Sequence, residues 1–217
     1  MVKEAMLFNP KKDSFTFDRQ LIDQVAFPLG DRYPPEIFSN YWNSYGGVVQ
    51  RYRPQRVLEI GVRYGYTAIV CCLAAAAAKP LYALSYVGLD DESYHQNSCA
   101  VAQENLRKVV PLNDARVLKW NSFNGLPPNV GSFDLVLIDG NHDTHGVLND
   151  LGHCWPVLNP GGIIFLDDYF MPPIEKAIRT WLDAMDVSDE RVEMQWHKSE
   201  RGHAILRKVG TQEGGQL

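Results

Sequence analysis

Acidic residues follow two apolar stretches of the sequence in positions where they could support metal or acid–base chemistry. Asp167 and Asp168 stand side by side after GGIIFL (161–166), and Asp139 ends FDLVLID (133–139). Neighbouring carboxylates repel each other unless a cation or a proton lies between them. The structural alternative for Asp167 and Asp168 is a turn or a helix N-cap, both of which favour aspartate.

A glycine-containing stretch earlier in the chain could form the binding loop for a ligand that contains a ribose. LEIGVRYGYTA (58–68) places Glu59 in an apolar segment and Gly61 and Gly65 in the loop after it. Glycines there let the backbone approach a ligand at a helix N-terminus, although they also suit tight helix–strand packing. Asp90 ends SYVGLD (85–90), where a carboxylate can accept both ribose hydroxyls. The GxxxG spacing disfavours a nicotinamide dehydrogenase, which would carry GxGxxG.

The elements that must position these residues alternate between helix and strand periodicity. Short apolar segments without clean alternation predict a parallel sheet buried on both faces, which is a doubly wound α/β architecture. A helix beginning at Pro34-Pro35 is predicted to be interrupted at Gly46-Gly47 and ended by Pro54. The predicted strands are 56–61, 85–90, 115–120, 133–139 and 161–167, the predicted helices 67–78, 93–110, 144–158 and 173–185, and a C-terminal antiparallel hairpin (191–198 and 203–208) makes seven strands. Ligands of such sheets bind beyond the carboxyl ends of the strands, where the acids and glycines lie.

Composition excludes several classes of function. The 217 residues carry a net charge of −5, and the basic residues are scattered, so no nucleic-acid partner is predicted. The longest apolar run (67–78) is too short to span a membrane, and the N-terminus lacks a signal-peptide pattern. Four cysteines without CxxC or zinc spacing predict a reducing compartment, and we expect a cytoplasmic protein.

The motifs together resemble the core of the class I S-adenosylmethionine-dependent methyltransferases. The resemblance covers residues 45–208 and consists of Glu59-x-Gly61-x-x-x-Gly65, Asp90, the FDLVLID strand and LNPGG (158–162). The glycine loop is most similar to small O-methyltransferases acting on catechols and caffeoyl groups, and IDGNHDTHGVLNDL with LDDY to the macrocin-type branch. The resemblance implies a Rossmann-like fold for residues 45–208, preceded by an N-terminal helical or cap segment (1–44). The composition of the last residues, GTQEGGQL, predicts a disordered tail (209–217).

The resemblance also implies which residues bind S-adenosylmethionine. Asn121 and Ser122 stand where many members carry an acidic residue that touches the adenine amine, so the adenine contact departs from the family pattern. The implied cofactor-binding residues are Glu59, Gly61, Arg63, Gly65, Tyr66, Asp90, Asp91, Asn121, Ser122 and Asp139.

A divalent cation, expected to be Mg²⁺, is implied by the three aspartates. Related cation-dependent enzymes place an Asp after the fourth strand and an acidic pair after the fifth, matching Asp139, Asp167 and Asp168. Oxygen ligands of this kind suit Mg²⁺. Together with Asp139, His142 is predicted to be catalytic, as the general base, because it stands where catechol-type members carry lysine, while Asn141 replaces the aspartate of the sugar branch. His142 could instead cap a helix or contact the cofactor.

The predicted function is divalent-cation-assisted O-methylation of a small hydroxylated acceptor. One alternative is an iron-dependent hydroxylase of similar fold using His142, His145 and Asp139, and another is a non-catalytic S-adenosylmethionine-binding protein. His145 could otherwise contact substrate or lie in solvent. The sequence identifies neither the acceptor nor the choice between a monomer and a homodimer.

Overall fold

The computed structural model describes residues 35–110, 114–185, 191–197 and 202–209. For residues 35–41 and 191–197 it describes the backbone only. The helices are α1 (Pro35–Tyr52), α2 (Tyr66–Ala77), α3 (Ser98–Val109), α4 (Thr144–Cys154) and α5 (Pro172–Ala184). The strands are β1 (Arg56–Ile60), β2 (Ser85–Asp90), β3 (Asp114–Lys119), β4 (Phe133–Ile138), β5 (Leu158–Leu166), β6 (Arg191–His197) and β7 (His203–Val209). Residues 1–34 of the predicted cap (1–44) and residues 210–217 of the predicted tail (209–217) lie outside the described residues. Val209, the first residue of the predicted tail, ends β7.

The strands form one seven-stranded sheet in the order β3-β2-β1-β4-β5-β7-β6. The strands from β1 to β5 pair in parallel, whereas β7 pairs antiparallel with both β5 and β6. Residues of α1, α2 and α3 cover one face of the sheet, and residues of α4 and α5 cover the other. The predicted doubly wound, mostly parallel architecture with a C-terminal hairpin is confirmed.

Helix α1 differs from the prediction because it continues through Gly46 and Gly47. A glycine inside a helix costs about 1 kcal/mol relative to alanine. Here Tyr45, Val48 and Val49 are almost wholly buried in the same core cluster as α2, and this packing overrides the local preference. The helix also runs across the boundary at 44/45 that separated the predicted cap from the cofactor domain.

Other boundaries shift by a few residues. Helix α3 starts at Ser98 rather than at residue 93, after Asn97 in a left-handed conformation (φ = +62°). Strand β5 begins at Leu158, three residues earlier than predicted, with a register irregularity against β4 between Phe133 and Leu135. Among the described helices, none is both long and apolar enough to cross a membrane.

Hydrogen bonds between neighbouring strands continue past their carboxyl ends and bring the following loops together. The Asp139 N–H donates to the Ile60 carbonyl oxygen at 2.9 Å, and the Asp167 N–H donates to the Ile138 carbonyl oxygen at 3.1 Å. The loops that follow β1, β4 and β5 therefore lie side by side at one edge of the sheet.

Candidate active site

The loop between β1 and α2 turns on two glycines. Gly61 has φ = +92° and Gly65 has φ = +85°, conformations that residues with side chains rarely adopt. A Cβ on Gly61 would overlap the Asp139 carbonyl group, and one on Gly65 would lie 3.2 Å from the Cβ of Ala102 on α3. Close packing thus accounts for both glycines. Gly65 is the N-cap of α2, and the N–H groups in the first turn of a helix can bind a ligand.

The remaining loop residues predicted to bind cofactor are partly covered by aromatic neighbours. Arg63 has φ = +51°, and its guanidinium carbon lies 5.6 Å from the centre of the Tyr64 ring. Tyr66 is 8% exposed, with its ring centre 5.4 Å from that of Trp42 on α1. Helix α1 therefore forms one wall beside the loop, and the cofactor contacts of Arg63 and Tyr66 stay predictions.

Asp90 is held at the end of β2 by three donors. Its Oδ2 accepts a hydrogen bond from the Arg63 N–H at 2.8 Å, and its Oδ1 accepts one from the Glu92 N–H at 2.8 Å. The Ser98 hydroxyl, at the start of α3, donates to the same Oδ1 at 3.2 Å. These contacts fix the carboxylate between the glycine loop and α3.

The turn after β3 brings together the residues predicted near adenine. Asn121 is exposed, caps the short 3₁₀ turn by accepting from the Phe123 N–H at 2.9 Å, and donates to Asp91 Oδ2 at 3.3 Å. The Ser122 side chain forms a hydrogen bond with Asp150, a buried carboxyl on α4 whose pKa is raised mainly by burial. Ser122 therefore ties the turn to α4.

Glu59 is a deeply buried acid on β1, only 1% exposed. The Tyr86 hydroxyl on β2 donates to its Oε2. Burial raises the pKa of Glu59 to about 8, the charges of Asp139 and Asp90 also raise it, and the Tyr86 hydrogen bond acts in the opposite direction. We refer to Glu59, Gly61, Gly65 and Asp90 as the glycine-loop end of the site.

Asp139, His142 and Asp168 form a compact group at the ends of β4 and β5. His142 Nε2 lies 3.2 Å from Asp139 Oδ1, and His142 Nδ1 lies 3.3 Å from Asp168 Oδ2. One ligand atom from each residue falls within 4.8 Å of the others, so the group could hold a cation. We refer to these three residues as the carboxylate–histidine cluster. Both ring nitrogens can donate together only when the imidazole is protonated.

Asp167 does not join this cluster, in contrast to the predicted three-aspartate metal site. Its Oδ1 lies 3.1 Å from His203 Nδ1, and both side chains are almost wholly buried. The contact has ion-pair distance without hydrogen-bond alignment. The β5–β7 register pairs Phe165 with Ile205, which places Asp167 opposite His203. Asp168, at φ = +53°, turns out of the strand pattern and reaches His142 instead.

His142 does not cap α4, because Asp143 fills that position. Asp143 Oδ1 accepts from the Gly146 N–H at 2.7 Å, and this bond lowers the pKa of Asp143. Asn141 accepts from the Asp143 N–H at 3.0 Å. His145 stacks on Phe123, with ring centres 5.3 Å apart, and is not part of the cluster.

Three buried residues near the site were missed by the sequence analysis. Tyr86 contacts Glu59, His203 contacts Asp167, and Tyr45 of α1 lies close enough to the acids that they help raise its pKa, after burial. Alternation along β2 could have placed Tyr86 on the face of the sheet that Glu59 shares. Nothing local in the sequence identifies Tyr45 or His203 as neighbours of the acids.

The arrangement combines two kinds of chemistry at adjoining strand ends. The glycine-loop end offers two carboxyls, which suit hydroxyl or cationic groups of a ligand, and the N–H groups at the start of α2, which suit an anionic group. The carboxylate–histidine cluster offers oxygen ligands for a cation and an imidazole that can exchange a proton near neutral pH.

Comparison with known proteins gives a curated relative that shares part of this chain. The mycinamicin III 3″-O-methyltransferase of Micromonospora griseorubida is 30% identical over 108 residues, covering 47% of this chain and 42% of that protein. The chain thus spans less than half the length of this relative.

Solved structures share the fold at low sequence identity. The SAH-bound methyltransferase PaMTH1 of Podospora anserina has a TM-score of 0.66 at 20% identity, covering 93% of this chain and 92% of that one. The O-methyltransferase TomG of Streptomyces achromogenes, solved with SAM, has a TM-score of 0.60 at 17% identity, covering 97% and 92%.

A family model described as a methyltransferase domain matches residues 58–169, which is more than half of the chain. The matched segment includes the last three residues of β1, the glycine loop, Asp90, and all three members of the carboxylate–histidine cluster. This chain belongs to the methyltransferase-domain family and has the class I S-adenosylmethionine-dependent methyltransferase fold.

Proposed function

We propose that this protein transfers the methyl group of S-adenosylmethionine to a hydroxyl oxygen of a small acceptor, assisted by a divalent cation. Family membership supports methyl transfer from this donor. The name of the Micromonospora relative, a 3″-O-methyltransferase, supports oxygen as the atom that is methylated.

The observation that carries the proposal is the position of His142 between two carboxylates beside the glycine loop. His142 is within 3.3 Å of both Asp139 and Asp168. Gly61 packs against the Asp139 carbonyl group, so the glycine loop and the cluster are in direct contact. A methyl donor on the loop and an acceptor hydroxyl at the cluster would therefore be neighbours, as a direct displacement requires.

The chain's own residues account for the proton in this reaction. The acceptor oxygen attacks the methyl carbon, the carbon–sulfur bond breaks, and S-adenosylhomocysteine leaves with the electron pair on sulfur. The hydroxyl proton passes to a ring nitrogen of His142, and the resulting imidazolium is stabilised by Asp139 and Asp168. The two carboxylates also orient the ring.

The donor atoms of the cluster fit a divalent cation. Carboxylate oxygens of Asp139 and Asp168 are hard ligands suited to Mg²⁺, whereas an imidazole ligand would favour a transition metal. We assign the two carboxylates to the cation and His142 to the proton, because a nitrogen bound to a metal cannot accept a proton. When bound, the cation would lower the pKa of the acceptor hydroxyl.

The iron-hydroxylase alternative loses support at this site. A facial iron triad needs two histidines and one carboxylate. In the described part of the chain the cluster holds one histidine, and His145 stacks on Phe123 instead of joining it.

The test measures binding and turnover separately. Calorimetric titration with S-adenosylhomocysteine establishes cofactor binding, and release of S-adenosylhomocysteine from S-adenosylmethionine is followed with a panel of catechols, phenols and sugars, with Mg²⁺ or chelator. His142→Gln should lower turnover by about 10²–10⁴-fold while leaving cofactor affinity within about twofold. His153→Gln, in helix α4 that follows the loop of His142, is the matched control.

Two results would contradict the proposal. A parent protein that binds no S-adenosylhomocysteine cannot use this donor. Full turnover in His142→Gln would remove the histidine from the reaction. Cofactor binding without turnover on any acceptor would support the non-catalytic alternative.

A further inference from the structure

The outer edge of β3 is a strand edge that none of the described strands covers. β3 is the first strand in the order of the sheet and pairs with β2. Just beyond β3, the Trp120 N–H donates to the Asp90 carbonyl oxygen at 2.9 Å, so this N–H faces β2. Backbone groups point alternately to the two sides along a strand, and those of Ala115, Val117 and Lys119 therefore face away from β2.

Gln103 of α3 bonds to two of these outward-facing groups. Its Nε2 donates to the Ala115 carbonyl oxygen at 3.0 Å, and its Oε1 accepts from the Val117 N–H at 2.9 Å. In a parallel ladder, one residue of a neighbouring strand makes the same pair of bonds, to a carbonyl oxygen and to the N–H two residues later. The side-chain amide of Gln103 thus takes the place of one residue of a further strand.

The position of Gln103 on α3 makes this contact possible. Ala102 and Leu106 are buried on the face of the sheet that α3 covers, whereas Glu104 and Arg107 are exposed. Gln103 is half-buried at the border between these two groups. Helix α3 therefore packs on one face of the sheet and also extends a side chain around its edge.

An uncovered strand edge can pair with a strand of another molecule. A second copy of this chain supplies a matching edge, because two β3 strands can pair antiparallel about a two-fold axis, each giving N–H and carbonyl groups. The exposed side chains of β3 are Asp114, Arg116 and Lys119. They carry charges of both signs, so charge alone does not keep two copies apart.

We propose that Gln103 closes the outer edge of β3 and prevents the sheet from pairing with that of a second copy of this chain. Its two hydrogen bonds occupy an acceptor and a donor that a pairing strand would need. β2 and β1 lie between β3 and β4, so this edge is separate from the carboxylate–histidine cluster. The inference does not depend on the proposed function.

The experiment follows the mass of the protein in solution and the exchange of one amide hydrogen. Gln103→Met keeps a long side chain and a good helix former but cannot make the two bonds. Sedimentation velocity should show a mass that rises with concentration to about twice that of the parent. In dilute solution the Val117 amide hydrogen should exchange at least about tenfold faster than in the parent, and its protection should return as the variant associates.

Gln50→Met is the matched control. Gln50 Nε2 also donates to a backbone carbonyl oxygen, that of Ala74 at 2.7 Å, but this bond joins α1 to α2. The control should keep the parent's mass at every concentration.

A double variant tests whether the association uses the edge of β3. Lys119→Pro removes an outward-facing N–H at the end of β3, and proline is tolerated where the N–H of an edge strand faces outward. Lys119 is exposed, so the change leaves the core intact. Added to Gln103→Met, it should return the mass to that of the parent.

Three results would overturn the role of Gln103. The first is an unchanged mass in Gln103→Met, whatever the exchange of the Val117 amide. The second is a rise in mass that also occurs in Gln50→Met or that persists in the double variant, because the association would then not use this edge. The third is Val117 protection that grows with concentration in the parent, which would mean that the edge pairs despite Gln103. Gln103→Ala opens the same two groups and provides the comparison if Gln103→Met does not fold.

Discussion

The glycine-loop end and the carboxylate–histidine cluster satisfy their acids in different ways. Asp90 is held by two backbone N–H groups and a serine hydroxyl, and Glu59 by a buried tyrosine, all fixed by strands and helix starts. Asp139 and Asp168 instead share one imidazole that is about one-third exposed. The first region is organised before any ligand arrives. The second depends on one partly exposed imidazole, which would have to change partners in the proposed reaction.

The largest expected effect falls on Gly61, where the two regions touch. Gly61→Ala would drive a Cβ into the Asp139 carbonyl group at a backbone φ of +92°. We expect a loss of about 4 kcal/mol or more in the free energy of unfolding, measured by chemical denaturation. Gly161→Ala is the matched control, because φ is +80° there but nothing lies within 4 Å of the added Cβ.

The control separates conformational strain from steric overlap. Left-handed strain alone costs about 1–2 kcal/mol, so Gly161→Ala should lose only that amount. Equal losses in the two variants would mean that the Asp139 carbonyl yields, and that the two regions are less tightly joined than the structure indicates.

A slightly smaller effect is expected when Asp90 is removed. Asp90→Ala eliminates the acceptor fixed by the loop and α3, and should weaken S-adenosylhomocysteine binding by roughly a hundredfold, given about 1.5–3 kcal/mol for a hydrogen bond to a charged group. Asp114→Ala is the matched control and should leave the affinity unchanged. Asp114 also accepts a hydrogen bond from a serine hydroxyl, that of Ser85 at 3.2 Å, but it lies at the opposite edge of the sheet. Unchanged calorimetric affinity in Asp90→Ala would exclude Asp90 as the ribose acceptor.

The pH dependence of stability should reveal the buried acid of the glycine-loop end. The folded pKa of Glu59 is about 8, above the ordinary glutamate value of 4.5, so the folded protein binds the proton more tightly. The contribution of Glu59 to stability is therefore complete below pH 4.5 and is lost as the pH rises to about 8. The loss should be a few kcal/mol at most, since one pKa unit corresponds to about 1.4 kcal/mol.

Glu59→Gln should flatten this profile. The free energy of unfolding, measured by denaturation between pH 5 and pH 8, should fall in the parent and fall less in the variant. Glu104→Gln, an exposed acid on α3 that pairs with Lys108 at 3.7 Å, should follow the parent. Parallel profiles for the parent and Glu59→Gln would show that Glu59 does not take up a proton in this range.

The fold was predictable because its signals are periodic and local. Apolar segments separated by helices predicted the strands, and the acids at their ends followed from the chain order. The continuation of α1 through Gly46 and Gly47 was not predictable in this way, because it depends on burial of Tyr45, Val48 and Val49. Tertiary packing overrides a local propensity of about 1 kcal/mol.

The site was predictable as a set of strand ends but not as a set of contacts. The sequence correctly predicted that Asp139 and His142 are neighbours, because they are three residues apart in one loop. It could not distinguish Asp167 from Asp168, because their partners depend on the register of β7 and on a single left-handed residue. The Tyr86–Glu59 contact likewise depends on the pairing of two strands.

The smallest expected effect separates the two adjacent aspartates. If Asp139 and Asp168 hold the cation, Mg²⁺ at ten times its Kd should raise the parent's free energy of unfolding by about 1.4 kcal/mol. Asp168→Asn should lose this response, because Asp168 reaches the cluster. Asp167→Asn should keep it while lowering baseline stability, because Asp167 faces His203 within the protein. Denaturation with Mg²⁺ or chelator measures both the Mg²⁺ response and the baseline stability.

Loss of the response in both variants would restore the three-aspartate site, since Asp167 would then have to leave His203 for the cation. A parent indifferent to Mg²⁺ and chelator would instead leave His142 to act without a metal, with Asp139 and Asp168 serving only to orient its ring.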